Sequence, residues 1–146
     1  MGLRVAVLDS EESLRRLISL IMQHEGYEVF AFSEPLYCPL YTGKQQFCDR
    51  ELPCTDLMIL DRQLPKMSAL AYLNLQMAGG CRVENRHKLV LSIKATDREI
   101  KETGRLGCAL LKKPFRVEDI SGWVDQCSAS VNPQRVLRAI KVMEGK

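Results

Sequence analysis

The chain has 146 residues, 46% apolar and 27% charged, with a formal net charge of +3. Length and composition describe one folded domain with a substantial core and exclude a disordered chain. The charge is too small to point to nucleic acid, and no apolar run is long enough to cross a bilayer.

The opening residues run straight into a strand pattern without a signal-peptide shape, so the expected location is cytoplasmic, with the six cysteines reduced. Residues 3–8 form a first strand that ends on Asp9. Ser10 is placed to cap a helix, with Glu11 and Glu12 in its first turn and Leu14, Leu17, Ile18 and Ile21 at helical spacing. Gly26 stops that helix, and residues 27–32 form a second strand. Residues 33–55 break the rhythm. They hold three prolines, one glycine and the cysteines Cys38, Cys48 and Cys54, and predict an irregular connection with at most one short helix.

Leu57 to Leu60 is an uninterrupted apolar run that ends on Asp61, the pattern of a strand buried on both faces of a parallel sheet. Met67, Leu70, Leu73 and Met77 mark a helix that ends at Gly79 and Gly80. Residues 89–92 form a fourth strand ending on Ser92. Residues 97–105 form a polar helix with Ile100 as its apolar anchor, and residues 109–112 a fifth strand running into Lys113-Pro114-Phe115. Val117, Ile120, Val124 and Cys127 mark a further core-facing helix. Asn132-Pro133 then leads into a short amphipathic tail helix through Val136, Ile140 and Met143. His24 and His87 show no metal-ligand spacing and are expected at the surface or at helix ends.

The alternation of strands and helices predicts a single doubly wound five-stranded parallel sheet, an α/β fold with helices on both faces. In such a sheet the carboxyl ends of all strands share one edge, where ligands bind. That edge would gather Asp9, Asp61, Ser92 and Lys113: two acids, a hydroxyl and an ammonium. Oxygen ligands of this kind suit Mg²⁺. A carboxylate beside such an ion can accept a phosphoryl group, whose oxygens Lys113 and the Ser92 hydroxyl would compensate.

These residues carry a resemblance. Val7-Leu8-Asp9-Ser10-Glu11, Asp61 with Leu64-Pro65 and Met67, Ser92, and Lys113-Pro114-Phe115 look like the motifs of the receiver domain of two-component response regulators. The resemblance covers roughly residues 3–127, so the domain is expected over residues 1–128, with 129–146 as an extra helix or the start of a linker. It implies the flavodoxin-like strand order 2-1-3-4-5. It implies that Asp61 takes a phosphoryl group from a sensor histidine kinase, and that Mg²⁺ is held by Asp9, Asp61 and the Gln63 backbone carbonyl. Ser92 and Lys113 would contact the phosphoryl group, and the Lys113–Pro114 bond would be cis. A homodimer or an output protein would use the face around the fourth and fifth strands; neither a membrane nor nucleic acid is an expected partner of this chain.

Five positions depart from the family's pattern. Ser10 stands where a second acid is usual, and Glu11 is the nearest carboxylate that could replace it. Ile93 stands where a small residue is usual, Ser68-Ala69 replaces an Asp-Gly turn, and Leu110 takes the place of an aromatic. They keep a second reading open, a phosphorylation-independent pseudo-receiver that acts as a protein-interaction module. A third is a metal or redox sensor built on Cys38, Cys48, Cys54 and Cys81, although their spacing matches no Cys-x-x-Cys signature.

Overall fold

The computed structural model describes residues 2–139. Five strands form one parallel sheet: β1 (Arg4–Leu8), β2 (Glu28–Phe32), β3 (Leu57–Asp61), β4 (Lys88–Ser92) and β5 (Ala109–Lys112). They lie in the order β2-β1-β3-β4-β5. The doubly wound α/β arrangement with flavodoxin-like order 2-1-3-4-5 is therefore the observed one. The helices are α1 (Glu12–His24), α2 (Pro39–Thr42), α3 (Ala69–Ala78), α4 (Asp97–Leu106) and α5 (Val117–Ser128), with a short 3₁₀ turn at Asn85–His87. Among the described residues, no helix is long and apolar enough to cross a membrane.

The pleat divides the core in two. Ala6, Leu8, Phe30, Met58, Leu60 and Val90 point to one face, where Tyr41, Tyr72, Leu73 and Leu106 of α2, α3 and α4 cover them. Val5, Val7, Leu57, Ile59, Leu89 and Leu91 point to the other, beneath Ile18 and Met22 of α1 and Ile120, Val124 and Cys127 of α5. Every residue of β1 is buried, as is the Leu57–Leu60 run, so the continuous apolar pattern does reflect burial on both faces.

Several helix faces differ from the sequence expectation. The N-cap position of α1 is Glu11 rather than Ser10, and its side chain makes no capping hydrogen bond. In α3, Tyr72 and Gln76 face the core with Leu73, whereas Met77 is 50% exposed. In α4, Ile100 points outward, and Glu99, Thr103 and Leu106 are the buried residues. Glu99 and Thr103 point inward onto hydrogen-bond partners, and the Gln76 amide nitrogen onto the Met58 sulfur, so polarity alone misleads about the phase. His87 is buried, with its Nε2 2.8 Å from the Ser130 hydroxyl. Burial pushes the imidazole below its usual range, against the opposing pull of Glu84.

The connection between β2 and β3 is irregular apart from α2, as expected. It is nonetheless pinned. The Cys48 N–H donates to the Gly79 carbonyl at 2.7 Å. A Cβ at position 79 would fall 2.7 Å from the Leu40 side chain, so the close approach needs glycine.

The expected tail helix is not present in its described part. Residues 132–139 hold a turn at residues 133–134 and are otherwise irregular, and Ile140 and Met143 lie outside the described residues. This segment runs along the amino-terminal edge of the sheet. The Arg135 guanidinium donates to both carboxylate oxygens of Asp56, at 2.8 and 2.5 Å, and the Arg138 N–H donates to the Pro53 carbonyl. Ion pairing and a backbone hydrogen bond hold these residues to the edge of the sheet.

Candidate functional site

The site lies at the carboxyl ends of β1, β3 and β5. Asp9 follows β1 and is 2% exposed. Its Oδ1 accepts the Glu11 N–H at 2.9 Å, which fixes the carboxylate at the head of α1. Asp61 closes β3, and the Gln63 N–H stands 3.4 Å from its Oδ2. Lys113 follows β5 at a cis bond to Pro114. Its Nζ lies 2.7 Å from Asp61 Oδ1 and 3.8 Å from Asp9 Oδ2. The pleat explains the convergence. Asp9, Asp61 and Lys113 continue the alternation of Val7, Ile59 and Leu111, so all three leave the sheet on the α1–α5 side.

Two acids share one ammonium here. Burial pushes the Asp9 carboxyl up; the Glu11 amide pulls it back, and the charge of Asp61 adds to the upward push. Asp9 Oδ2 is buried with no hydrogen-bond partner among the described residues. A buried carboxylate oxygen without a donor, next to a second carboxylate, fits a hard divalent cation. Asp9, Asp61 and the Gln63 carbonyl would hold it. Glu11 contributes its amide to the site and not its carboxylate, which accepts the Ser13 hydroxyl at an exposed position.

The Ser92 hydroxyl has partners of its own. Its hydroxyl donates to Glu99 Oε1 at 2.7 Å and accepts the Ala95 N–H at 2.9 Å. Ala95 adopts a left-handed φ of 43°, which turns its amide toward that hydroxyl. Glu99 Oε2 accepts from Arg62 Nε at 2.7 Å. Burial pushes the Glu99 carboxyl up, but the hydrogen bonds from Ser92, Arg62 and Thr96 outweigh it and hold it below the usual carboxylate range. Parity again gives the reason: Ser92 continues the alternation of Val90, on the face covered by α3 and α4, and Arg62 follows Asp61 to that same face. A shared sheet edge thus holds two groups, one on each side. Sequence reading missed Arg62 and Glu99. The available signal was the Thr96-x-x-Glu99 capping box, which is fully formed at the start of α4.

Leu110 lines a cleft of about 510 Å³ between α3 and α4, together with Arg62, Glu99 and Thr103. Ile93 is 67% exposed, and Ser10 is exposed as well. The four cysteines Cys38, Cys48, Cys54 and Cys81 do come together, around one small apolar cavity on the α2–α3 side. Among the described residues, however, no three His, Cys, Asp or Glu side chains are grouped tightly enough to hold a metal ion as they stand. Burial pushes the Cys54 thiol up to about 12 and raises Cys81 too, with the neighbouring thiols adding to the push. Thiols so protonated are poor redox nucleophiles. Cys127 packs in the core and Cys108 against it.

The sequence matches no protein-family model and no curated protein. Solved structures do match. The chemotaxis protein CheY4 of Vibrio cholerae is similar at 20% identity over 87% of this chain and 99% of its own, with a TM-score of 0.66. The receiver domain of the Francisella response regulator 1452 is similar at 16% identity, over 88% and 98%, with a TM-score of 0.70. The receiver domain of the Pseudomonas aeruginosa sensor histidine kinase PA1611 is similar at 14% identity, over 89% and 100%, with a TM-score of 0.66. That last structure carries a magnesium ion coordinated in its active-site cleft. The fold of this chain is therefore that of response-regulator receiver domains, spanned almost end to end.

Proposed function

We propose that the chain is a phosphoacceptor receiver domain of two-component signal transduction, taking a phosphoryl group from a sensor histidine kinase onto Asp61. The reading rests on one observation: Lys113 Nζ bridges Asp61 and Asp9 at the carboxyl edge of the parallel sheet. Lys113 engages Oδ1 of Asp61, which leaves Oδ2 as the freer oxygen. That oxygen forms the bond to phosphorus as the P–N bond of a phosphohistidine breaks, and the departing imidazole takes up a proton. Lys113 then neutralises part of the phosphoryl charge. Mg²⁺, when bound by Asp9, Asp61 and the Gln63 carbonyl, supplies further charge compensation to the phosphoryl oxygens. The chain is modified rather than turning over a free substrate, so it is not an enzyme in that sense. Output would pass to a second copy or another protein through the face around β4 and β5, where Ile93 and Ile100 are exposed.

Intact mass after treatment with a small phosphodonor tests this. Uptake of one phosphoryl group is expected only with Mg²⁺ present, and its complete loss in Asp61→Asn. Unmodified wild-type protein at high donor and Mg²⁺ would reject it.

A specific observation favours the second reading, a phosphorylation-independent interaction module: the Ser92 hydroxyl is already committed to Glu99. A phosphoryl group on Asp61 would compete with that carboxylate for the hydroxyl. If it does, Glu99→Ala should free Ser92 and tighten binding of beryllofluoride, a phosphoryl mimic, by roughly tenfold, the worth of one hydrogen bond to a charged group. Unchanged or weaker binding by a folded Glu99→Ala protein would show that Ser92 takes no part, and would move the balance toward the module.

A further inference from the structure

β2 lies at one edge of the sheet, with β1 as its strand neighbour. The Glu28 N–H donates to the Leu3 carbonyl at 2.8 Å, and the Phe32 carbonyl accepts the Asp9 N–H at 3.2 Å. The alternation of a parallel ladder then turns the backbone groups of Glu28, Phe30 and Phe32 toward β1 and those of Val29 and Ala31 away from it. Among the described residues, the N–H and C=O groups of Val29 and Ala31 meet no partner. Open edges are normally guarded by charge, proline or a bulge, because they invite pairing with another chain. β2 reads Glu-Val-Phe-Ala-Phe and carries no such guard along its middle. Its one charge, Glu28, is tied at 2.7 Å to Arg4 of the neighbouring β1. The opposite edge strand, β5, ends on the exposed Lys112.

We propose that β2 is a self-pairing surface, through which two copies of this chain join edge to edge by antiparallel β2 strands about a twofold axis at Phe30. The reason for a second copy is spacing. With the axis at Phe30, Val29 of one copy faces Ala31 of the other, and the two residues exchange both N–H···O=C bonds. The same exchange repeats on the other side of the axis, so every outward backbone group of Val29 and Ala31 in both copies is satisfied at once. The two sheets become one continuous sheet. Such a pairing is isologous and closes on itself, and the lysine-ended β5 edge does not extend it.

The side chains beside the edge suit the same symmetry. A groove of about 380 Å³ lies between residues 29–32 and a row on α1 that includes Glu12, Arg16, Ser19, Leu20 and Gln23. Leu20 is 57% exposed there. A twofold axis perpendicular to the sheet sets the two α1 helices antiparallel on one face. The Glu12 end of one row then runs toward the Gln23 end of the other, and Arg16 toward Ser19 and Leu20, so like charges do not oppose each other. Leu20 of each copy gains apolar cover. The strand order puts this edge on the opposite side of the sheet from β4 and β5. The pairing is therefore distinct from contacts of the β4–β5 face, and it does not rest on the phosphoacceptor reading.

The test uses the full, unphosphorylated chain in sedimentation velocity at concentrations up to about 100 µM. Wild type should form a dimer whose population rises with concentration. Amide hydrogen exchange at Val29 and Ala31 should slow over the same range, while that of Phe30, already bonded to β1, should not change. Ala31→Pro removes an outward donor and leaves the ladder to β1 intact. It should weaken the dimer at least about tenfold, since two hydrogen bonds are lost per dimer. Should Ala31→Pro not fold, Leu20→Arg makes the same test from an exposed helical position, by bringing a cation beside Arg16 of the second copy. Ile100→Arg on the β4–β5 face and Asp61→Asn should both dimerise as wild type does. A wild-type chain that stays monomeric at about 100 µM overturns the proposal. So does a dimer undiminished in Ala31→Pro or Leu20→Arg, or one lost in Ile100→Arg or Asp61→Asn.

Discussion

Replacing Lys113 with methionine is expected to slow phosphoryl uptake at Asp61 by about 10²–10³-fold, the usual consequence of removing one pre-positioned donor from a site of developing negative charge. The side chains of Lys113 and Asp61 are each only 16% exposed and that of Asp9 is 3% exposed, so solvent does little of the compensating. A phosphoryl group adds about −1.5 to −2 charge beside two carboxylates. Methionine keeps the stem and removes the cation. Mg²⁺ binding to the unmodified protein should become tighter in the same variant, because the two acids lose the ammonium that competes for them. Those opposite signs separate an electrostatic effect from a folding defect, which would weaken both. A time course by intact mass, with Mg²⁺ affinity measured alongside, reads the two. An uptake rate within about threefold of wild type would remove Lys113 from the mechanism.

The second large effect concerns the opposite edge of the sheet. Asp56 is 6% exposed and accepts from the Arg4 N–H at 2.9 Å and from the Arg135 guanidinium through both oxygens. Arg135 also donates to the Gly2 carbonyl, so one carboxylate joins the first strand, the third strand and the C-terminal segment. Asp56→Ala should cost roughly 3–5 kcal/mol, because it leaves the buried Arg4 N–H without its acceptor and removes a carboxylate that is 3% exposed from its pair with Arg135. Against a typical total of about 5–15 kcal/mol this is severe, and Tm should fall by at least about 10 °C. Adding Arg135→Ala to the Asp56→Ala background should cost little more, since the ion pair between the two is already gone. A Tm within about 2 °C of wild type for Asp56→Ala would show that the clamp contributes nothing in solution.

Much of the architecture could be read from residue order. Apolar runs ending on Asp9, Asp61, Ser92 and Lys112-Lys113, separated by helical periods, leave few alternatives to a parallel sheet with one polar edge. The pairing of Asp9 and Asp61 around Lys113 follows from that edge, because a short apolar strand has a defined end. That no helix among the described residues is long and apolar enough to cross a membrane also follows from residue order, since it depends on run length alone.

Tertiary structure decided what periodicity cannot resolve. Ser92 occupies the same edge as Asp61 but the opposite face, and only the packing of α4 brings Glu99 to its hydroxyl. The inward phase of α4 depends on Arg62 being there to receive Glu99, a contact between residues 37 apart in the chain. In α3 the core holds Gln76 instead of Met77, with the amide nitrogen 3.7 Å from the Met58 sulfur. Residues 132–139 are not helical, and Asp56, far away in sequence, partners Arg135 there. Cys38, Cys48, Cys54 and Cys81 share no local signature, and the fold alone brings them around one cavity. The physical reason is common to all of these. Backbone hydrogen bonding and apolar burial act at short period and leave a trace in the sequence, whereas pairs of polar side chains are chosen by distance in space.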